Sequence, residues 1–249
     1  MNSGQNNSAL VIGSSGGLGT AILMELVNDP SIIRVVAVSR SRCPQELTNG
    51  AADGKVVWLQ TEYNEPAMVE VAQSLAPYSG SFSRVCICHG VLHSDILKPE
   101  KRLEDLNEAS LQSVFHSNAV IPGIWLKLLF PILKGNTNCI VVALSARVGS
   151  ISDNNLGGWY AYRASKAALN MILKTAAIEY GRRAKNVKLI AFHPGTTDTD
   201  LSKPFQATVP TGKLFAPIFV AEQLAIIMDS AKMDGTLSFL DWNGQPIDW

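Results

Sequence analysis

Seven short apolar runs, rich in β-branched residues, alternate with helical patterns along the chain. Several runs are apolar on consecutive residues, which is typical of strands covered on both faces. This alternation predicts right-handed crossovers and an α/β, doubly wound, mostly parallel seven-stranded sheet with helices on both faces. The predicted strands are Ala9–Ile12, Val35–Ser39, Val56–Leu59, Val85–Cys88, Cys139–Leu144, Val187–Phe192 and Ser238–Leu240. The predicted helices are Gly17–Asn28, Ala67–Leu75, Glu108–Phe115, Ile121–Leu133, Tyr160–Tyr180 and Val220–Ala231.

The chain shows no internal repeat and no proline- or glycine-rich linker, so we expect residues 1–249 to form one domain. Residues 1–8 are polar and uncharged, which predicts a short disordered lead-in rather than a secretion signal. The 21 basic residues balance the 21 acidic ones, which disfavours a nucleic-acid partner. Prolines interrupt the longest apolar stretch, Ile121–Leu133, and it is too short to cross a bilayer. We therefore expect a cytoplasmic protein without a membrane partner.

A glycine-rich turn follows the first predicted strand and opens the first predicted helix. A helix N-terminus has unpaired N–H groups and a positive dipole end, and glycines allow a pyrophosphate to approach the backbone. The alternative is a plain strand–helix turn, since three glycines in seven residues are a weak signal on their own. The position at the start of the fold favours a dinucleotide site. Its predicted binding residues are Gly13, Ser14, Ser15, Gly17, Leu18 and Gly19.

The end of the second predicted strand bears on the choice of dinucleotide. A site selective for NAD(H) usually places an acidic residue near Ser39 to bind the adenosine ribose, and the chain has none there. Arg40 and Arg42 instead offer guanidinium groups that could bind a 2′-phosphate. The alternative is a pair of solvated loop arginines. We predict NADP(H) as the cofactor, with Arg40 as a binding residue.

Tyr162 and Lys166 are four residues apart in a predicted helix, so they share one helix face. An ammonium group beside a phenol favours the phenolate, so we expect Lys166 to lower the pKa of Tyr162. Such a pair provides the acid/base group that reduction of a carbonyl requires. A tyrosine and a lysine at this spacing also occur by chance, and Tyr162 could be an ordinary surface tyrosine.

Taken in order, these motifs resemble the short-chain dehydrogenase/reductase family over essentially the whole length, including Asn118 and Pro194-Gly195 with Thr199. Within the family, the chain is most similar to the C-factor-like carbonyl reductases, through residues 97–101, 160–163 and 193–195. The resemblance implies a Rossmann fold, a small-molecule carbonyl substrate, and a homodimer or homotetramer formed through the Ile121–Leu133 and Tyr160–Tyr180 helices.

The resemblance also implies a role for each matching residue. Tyr162 would donate a proton to the carbonyl oxygen, and Lys166 would bind the nicotinamide ribose. Asn118 would support a water relay that reaches Lys166. Gly90 would line the cofactor site, and the carboxamide would contact Pro194, Gly195 and Thr199.

Three positions depart from the family pattern. The usual carbonyl-orienting serine, three residues before Gly149, is Ala146, and Ser145 can replace it only if the strand has already ended. Where the family has an Asn-Ala-Gly turn after the fourth strand, this chain has Cys88-His89-Gly90. Where the family often has an acidic residue that contacts the adenine, this chain has Thr61. An alternative function is therefore open, namely a catalytically weak, cofactor-binding sensor or interaction protein.

Two remaining features concern the substrate and metals. Residues 196–215 form a long irregular segment after a strand, which predicts a substrate-covering lid with apolar side chains such as Leu201 and Phe205. The cysteines show no zinc-ligand spacing, and His89 and His93 lack an evident third ligand. We predict no metal site.

Overall fold

The computed structural model describes residues 7–48 and 54–249. Residues 1–6 of the predicted lead-in lie outside the described residues. Ser8, however, is a buried strand residue, and its N–H donates to the carbonyl of Ser81. The predicted boundary at residue 8 was therefore wrong, because Ser8 is already paired with Arg34 and Phe82 of the two neighbouring strands.

Seven parallel strands form one sheet in the order β3-β2-β1-β4-β5-β6-β9, which confirms the predicted doubly wound fold. Cys88, predicted to end the fourth strand, lies just beyond it. A separate pair of two-residue strands, β7 and β8, joins the ends of the predicted lid. The strands are β1 (Ser8–Ile12), β2 (Arg34–Ser39), β3 (Val56–Gln60), β4 (Phe82–Ile87), β5 (Cys139–Leu144), β6 (Val187–His193), β7 (Thr196–Thr197), β8 (Leu214–Phe215) and β9 (Leu237–Asp241).

All six predicted helices are present, three of them with the predicted ends and three with ends shifted by one to three residues. A continuous helical path runs from Glu108–Phe115 to Ile121–Leu133, because a π-helical turn, His116–Val120, joins these two helices. Asn118 therefore lies inside this turn, not at the start of a helix. The helices are α1 (Gly17–Asn28), α2 (Gln45–Thr48), α3 (Glu65–Ser74), α4 (Glu108–Phe115), α5 (Ile121–Leu133), α6 (Tyr160–Arg183) and α7 (Pro217–Ser230).

The sheet is buried on both faces, as its consecutive apolar residues predict. Along β1, Leu10 and Ile12 belong to the apolar cluster beneath α3, α5 and α6, whereas Ala9 and Val11 belong to the cluster beneath α1 and α7. This alternation follows from the two-residue period of a strand. Burying a large aliphatic side chain contributes about 1.5–3 kcal/mol, so the two layers fix the register of each strand.

The strand order places a crevice at the carboxyl ends of β1 and β4. The chain winds from β1 outward to β3, and then crosses back to place β4 on the other side of β1. Ligands of open α/β sheets bind at such a switch point. The glycine turn follows β1 at this point, and the residues after β4, β5 and β6 reach the same edge.

The helical stretch Glu108–Leu133 is, among the described residues, long and apolar enough to cross a membrane by length and composition. Half of its most apolar window is buried in the structure. Trp125 and Leu129, for example, have no exposed surface and pack in the main apolar cluster. This pattern is typical of a core helix.

Candidate active site

The glycine turn is too tight to accept side chains at two of its positions. A Cβ atom on Gly19 would lie 2.1 Å from the carbonyl oxygen of Gly13, and one on Gly17 would lie 2.8 Å from Cγ2 of Thr199. Gly13 has a φ of +83°, which favours glycine. The turn therefore presents bare backbone to the cleft, as close approach of a dinucleotide requires.

The N-terminus of α1 provides the anion-binding end of this turn. Gly16 precedes the helix and has no side chain to cap it, so backbone N–H groups of the first turn remain available. The two serines differ in their roles. Ser14 is buried, and its hydroxyl donates to the carbonyl of Val38, whereas Ser15 lines the cleft and accepts a 2.6 Å hydrogen bond from Ser39. Ser15 therefore remains a candidate cofactor ligand, and Ser14 is a structural residue.

Arg40 lies beside the turn because Ser39, which binds Ser15, precedes it directly. Its guanidinium is exposed and lies 5.7 Å from the centroid of the Tyr63 ring. Arg42 is exposed further along the same loop. Thr61, at the predicted adenine position, donates its backbone N–H to the carbonyl of Ser39 and bears no charge. Arg40, which forms no salt bridge with any residue that the structure describes, thus lies where the ends of β2 and β3 meet.

A cleft of about 760 Å³ extends from the glycine turn to the predicted lid. Its walls come from the ends of β1, β4, β5 and β6, from the start of α6, and from the segment before α7. The predicted site residues that line it are Ser15, Gly17, Leu18, Gly19, Gly90, Ser145, Tyr162, Lys166, Pro194, Gly195 and Thr199. The cleft therefore joins these predicted cofactor and catalytic residues in one site, whereas Gly13, Ser14, Arg40 and Asn118 do not line it.

Tyr162 and Lys166 lie next to each other in this cleft on the first two turns of α6. The Lys166 Nζ atom lies 5.8 Å from the centroid of the Tyr162 ring and donates a 2.7 Å hydrogen bond to the carbonyl of Leu144. Burial raises the pKa of Tyr162 to about 12 and lowers the pKa of Lys166 to about 7. The direction for Tyr162 is opposite to our expectation, because burial outweighs any effect of the lysine in this structure.

We expect the burial of Lys166 to lower the free energy of unfolding as the pH falls. The group is neutral in both folded and unfolded chains above its ordinary pKa of 10.5, and protonation favours the unfolded chain down to about pH 7. In the absence of cofactor, Lys166→Met should therefore gain stability relative to the wild type from about pH 10.5 to about pH 7, by at most about 5 kcal/mol. Urea unfolding at a series of pH values measures this difference.

Lys174→Met is the matched control, since it removes an exposed lysine from the same helix. A difference between Lys166→Met and the wild type that stays constant over that pH range would contradict the burial of a titrating ammonium group.

Asn118 connects the loop after β4 to the start of α6. Its Oδ1 atom accepts the Val91 N–H at 2.7 Å, while Nδ2 donates to the Val91 carbonyl and to the hydroxyl of Ser165. Ser165 in turn donates to the Tyr162 carbonyl. The side chain has no exposed surface, and these partners occupy its amide. Asn118 therefore positions the Tyr162 turn, and its side chain is not free to bind a relay water.

Ala146 faces Tyr162 at the position of the expected serine. The two side chains form an apolar cluster with Leu92, against which Val148, Trp159, Leu201 and Phe205 pack. β5 ends at Leu144, so Ser145 is already in the loop, as its predicted role requires. Its hydroxyl nevertheless donates a 2.6 Å hydrogen bond to Asn170 and is buried. The donor hydrogen of Ser145 is thus used within the fold.

His89 replaces the usual small residue in the turn after β4. Its Nε2 atom accepts a hydrogen bond of 3.2 Å from the indole of Trp125, and its ring meets Tyr63 edge-on at 4.2 Å. Burial, together with the charges of Lys166 and Arg40, lowers the pKa of His89 to about 3. His89 is therefore a neutral residue packed under the cofactor end of the cleft. Across the described ranges, no three His, Cys, Asp or Glu side chains come together as metal ligands.

The predicted lid folds back over the cleft. Gly195 has a φ of +71°, and a Cβ atom there would lie 2.6 Å from the ring of Phe215. The Thr197 carbonyl accepts a 2.6 Å hydrogen bond from Ser202, which holds the turn that contains Thr199. A 3-10 helix, Lys203–Thr208, then carries Phe205 toward α6.

Trp159 is the main cleft residue that our reading of the sequence missed. It directly precedes α6, and its ring lies 4.9 Å from Phe205 and 6.2 Å from Tyr162. Its backbone is left-handed, with φ 52° and ψ 45°. The glycines at 157 and 158 were the available signal, because they indicate an unusual turn just before the catalytic helix.

The family model for short chain dehydrogenases matches residues 7–210. C-signal of Myxococcus xanthus is 32% identical over 147 residues, which are 59% of this chain and 83% of that protein. Benzil reductase ((S)-benzoin forming) of Bacillus cereus is 25% identical over 243 residues, covering 89% of this chain and 93% of that protein.

Among solved structures, the NADPH-bound carbonyl reductase from chicken fatty liver superposes with a TM-score of 0.81. The two chains are 21% identical, and the match covers 97% of this chain and 98% of the other. At this identity, the similarity shows a common fold.

Proposed function

Because the chain belongs to the short-chain dehydrogenase family of oxidoreductases, as its motifs predicted, we propose that it reduces a ketone or aldehyde to an alcohol with NADPH. The observation that carries this proposal is the cleft itself. It extends from the bare backbone of the glycine turn to the buried pair of Tyr162 and Lys166. The substrate is a small molecule, since the cleft measures about 760 Å³ and must also hold the cofactor.

The glycine turn suits a dinucleotide, because it packs too tightly for side chains at Gly17 and Gly19 and leads directly into the uncapped N-terminus of α1. Residues Ser15 to Gly19 would hold the phosphates at the N-terminus of α1, and Gly90, Pro194, Gly195 and Thr199 would line the nicotinamide end. Lys166 would bind the nicotinamide ribose. Bound NADPH would supply the hydride that the carbonyl carbon accepts.

Tyr162 supplies the proton in this mechanism. Its raised pKa keeps the phenol protonated at neutral pH, so it can donate to the carbonyl oxygen. The phenolate that results is buried, and it favours the protonated form of the neighbouring Lys166. Lys166 thereby stabilises the phenolate until a proton returns from solvent through the cleft. Asn118 acts through Ser165 by holding the turn that carries Tyr162.

NADPH oxidation with a panel of ketones and aldehydes tests the proposed reaction. The alcohol should appear in the same amount as the cofactor consumed. A protein that binds NADPH tightly but reduces no member of the panel would contradict the proposal.

Arg40 supports the preference for NADP(H), because it offers an exposed guanidinium beside the glycine turn. We predict that Arg40→Ala weakens NADPH binding about 10- to 100-fold and leaves NADH binding nearly unchanged, since a charge-assisted hydrogen bond contributes about 1.5–3 kcal/mol. Fluorescence titration with each cofactor measures both constants.

Arg34→Ala provides a matched control, because Arg34 lies 5.7 Å from the Tyr78 ring at the opposite end of β2. Equal losses for NADPH and NADH in Arg40→Ala would show that this residue does not select the 2′-phosphate.

A second candidate function is a cofactor-binding sensor or interaction protein with little activity. Ala146 favours it, because no hydroxyl stands at the carbonyl-orienting position and the Ser145 hydroxyl donates to Asn170. The retained pair of Tyr162 and Lys166 favours the reductase, since cofactor binding alone does not require a proton donor.

The reductase would act in the cytoplasm as a homodimer or homotetramer. Met171 and Ile178 are seven residues apart on one face of α6 and are exposed, as is Val120 at the end of the π-helical turn before α5. These apolar side chains would lie in the interface between subunits. Light scattering distinguishes a dimer from a tetramer.

A further inference from the structure

Trp159 adopts a conformation that side chains rarely tolerate. It is the non-glycine residue with positive φ in the part of the chain that the structure describes. A left-handed backbone is strained for a bulky residue, and such strain persists only where surrounding structure enforces it. Strain of this kind also accumulates at functional sites. The conformation of Trp159 therefore requires contacts that hold it in place and a function that accounts for the strain.

Glu100 provides the support. Its backbone carbonyl accepts the N–H of Trp159 at 2.5 Å, and its Oε2 atom accepts the N–H of Ala161 at 3.2 Å. Glu100 is buried, and its carboxylate lies at the N-terminus of α6, where the helix dipole favours a negative charge. One residue thus fixes both the strained turn and the first turn of the catalytic helix.

The strained turn accounts for itself by placing the Trp159 ring in the wall of the cleft. Trp159 meets Phe205 with their rings 4.9 Å apart at 61°, and it meets Tyr162 with rings 6.2 Å apart at 81°. The remaining side chains of this cluster are the aliphatic Leu92, Ala146, Val148 and Leu201. The phenol of Tyr162 is therefore surrounded by an apolar wall with two aromatic members. Ala146 also leaves more room there than a serine would.

We propose that Trp159, held by Glu100 and backed by Phe205, makes this enzyme selective for aromatic carbonyl compounds. The inference rests on the proposed carbonyl reduction and specifies its substrate class. An aryl ring beside the wall gains edge-to-face contacts that a saturated ring of the same size cannot make.

The test compares acetophenone with cyclohexyl methyl ketone, which differ only in the aromaticity of the ring. Aromatic pairs contribute enough to change the ratio of the two kcat/KM values about 2- to 12-fold. We expect Trp159→Ala to shift this ratio by that factor toward the saturated ketone, and Trp159→Phe to keep most of the preference. Intrinsic reactivity cancels, because the comparison is between proteins. An unchanged ratio in Trp159→Ala would overturn the proposal.

Control variants separate specificity from folding. Trp249→Ala also removes a partly exposed tryptophan, but one outside the cleft, and it should leave the ratio unchanged. Trp159→Gly should melt at a higher temperature than Trp159→Ala, because it relieves the left-handed strain. Glu100→Ala should lower the aromatic preference, while Glu100→Gln, which retains an acceptor oxygen, should restore it. A full preference in a folded Glu100→Ala variant would contradict the role of Glu100.

Direct binding distinguishes failure of this inference from failure of the proposed reaction. Calorimetric titration of both ketones into the protein with NADP⁺ measures affinity without turnover. If no carbonyl is reduced but acetophenone still binds more tightly than its saturated counterpart, and Trp159→Ala removes the difference, the reaction is wrong and the aromatic site stands. Equal affinities in the wild type would overturn the aromatic site.

Discussion

Tyr162→Phe should lower kcat for carbonyl reduction by roughly 10²- to 10⁴-fold, which is the usual contribution of a positioned general acid. The substitution removes one hydroxyl and retains the ring that packs against Leu92 and Ala146. Burial holds the pKa of this phenol at about 12, so the wild-type group is a protonated donor across the neutral range.

Steady-state rates with NADPH and acetophenone measure this loss, and fluorescence titration should show unchanged affinity for NADPH. Tyr160→Phe is the matched control, because Tyr160 is a half-buried tyrosine on the same helical turn. If Tyr162→Phe retained the wild-type rate while both variants bound NADPH equally, Tyr162 would not be the proton donor.

Ala146→Ser should raise turnover about 10- to 100-fold. The new hydroxyl would lie beside Tyr162, where it can donate to the developing charge on the carbonyl oxygen. Removal of one such donor typically costs about 10²- to 10³-fold in other enzymes, and part of that gain is expected here. Ser145 does not supply this donor, since its hydroxyl donates to Asn170 at 2.6 Å.

Ser145→Ala is the companion variant, and we expect it to change turnover less than about tenfold. The wild-type rate then distinguishes the two candidate functions. If the wild type already turns over at a readily measured rate and Ala146→Ser raises it, the protein is a working reductase. If the wild type has no detectable rate and Ala146→Ser creates one, the protein is a cofactor-binding protein that has lost its catalytic activity. No gain in a folded Ala146→Ser variant would mean that the carbonyl oxygen does not lie between Ala146 and Tyr162.

The sequence predicted the sheet and its helices because apolar periodicity reflects burial directly. The runs Ala9–Ile12 and Val35–Ser39 have no polar face, and both strands are covered on two sides. The ends of strands were less predictable where backbone hydrogen bonds to a neighbouring segment determine them. Ser8 looks like part of a polar leader, yet the carbonyl of Ser81, just before β4, provides a partner for its N–H.

The site was predictable from the sequence where a local motif determines the backbone geometry. It was less predictable where contacts between distant parts of the chain determine the environment of a residue. Gly19 is required by the adjacent backbone of Gly13 and Ser14, so this part of the motif is visible in the sequence. The pKa of Tyr162 depends instead on burial by residues far along the chain, including Leu92 and Phe205. Trp159 was missed for the same reason, since Glu100 lies 59 positions earlier in the sequence.

The most direct test of the account follows the hydride. The wild-type protein is incubated with acetophenone and NADPH deuterated at C4 of the nicotinamide, and the product is analysed by mass spectrometry and NMR. We predict 1-phenylethanol with one deuterium on its carbinol carbon, formed in proportion to the cofactor consumed. Tyr162→Phe should form this alcohol only at its much lower residual rate. Consumption of NADPH without deuterium on that carbon, or tight NADPH binding with no alcohol formed, would contradict carbonyl reduction at this site.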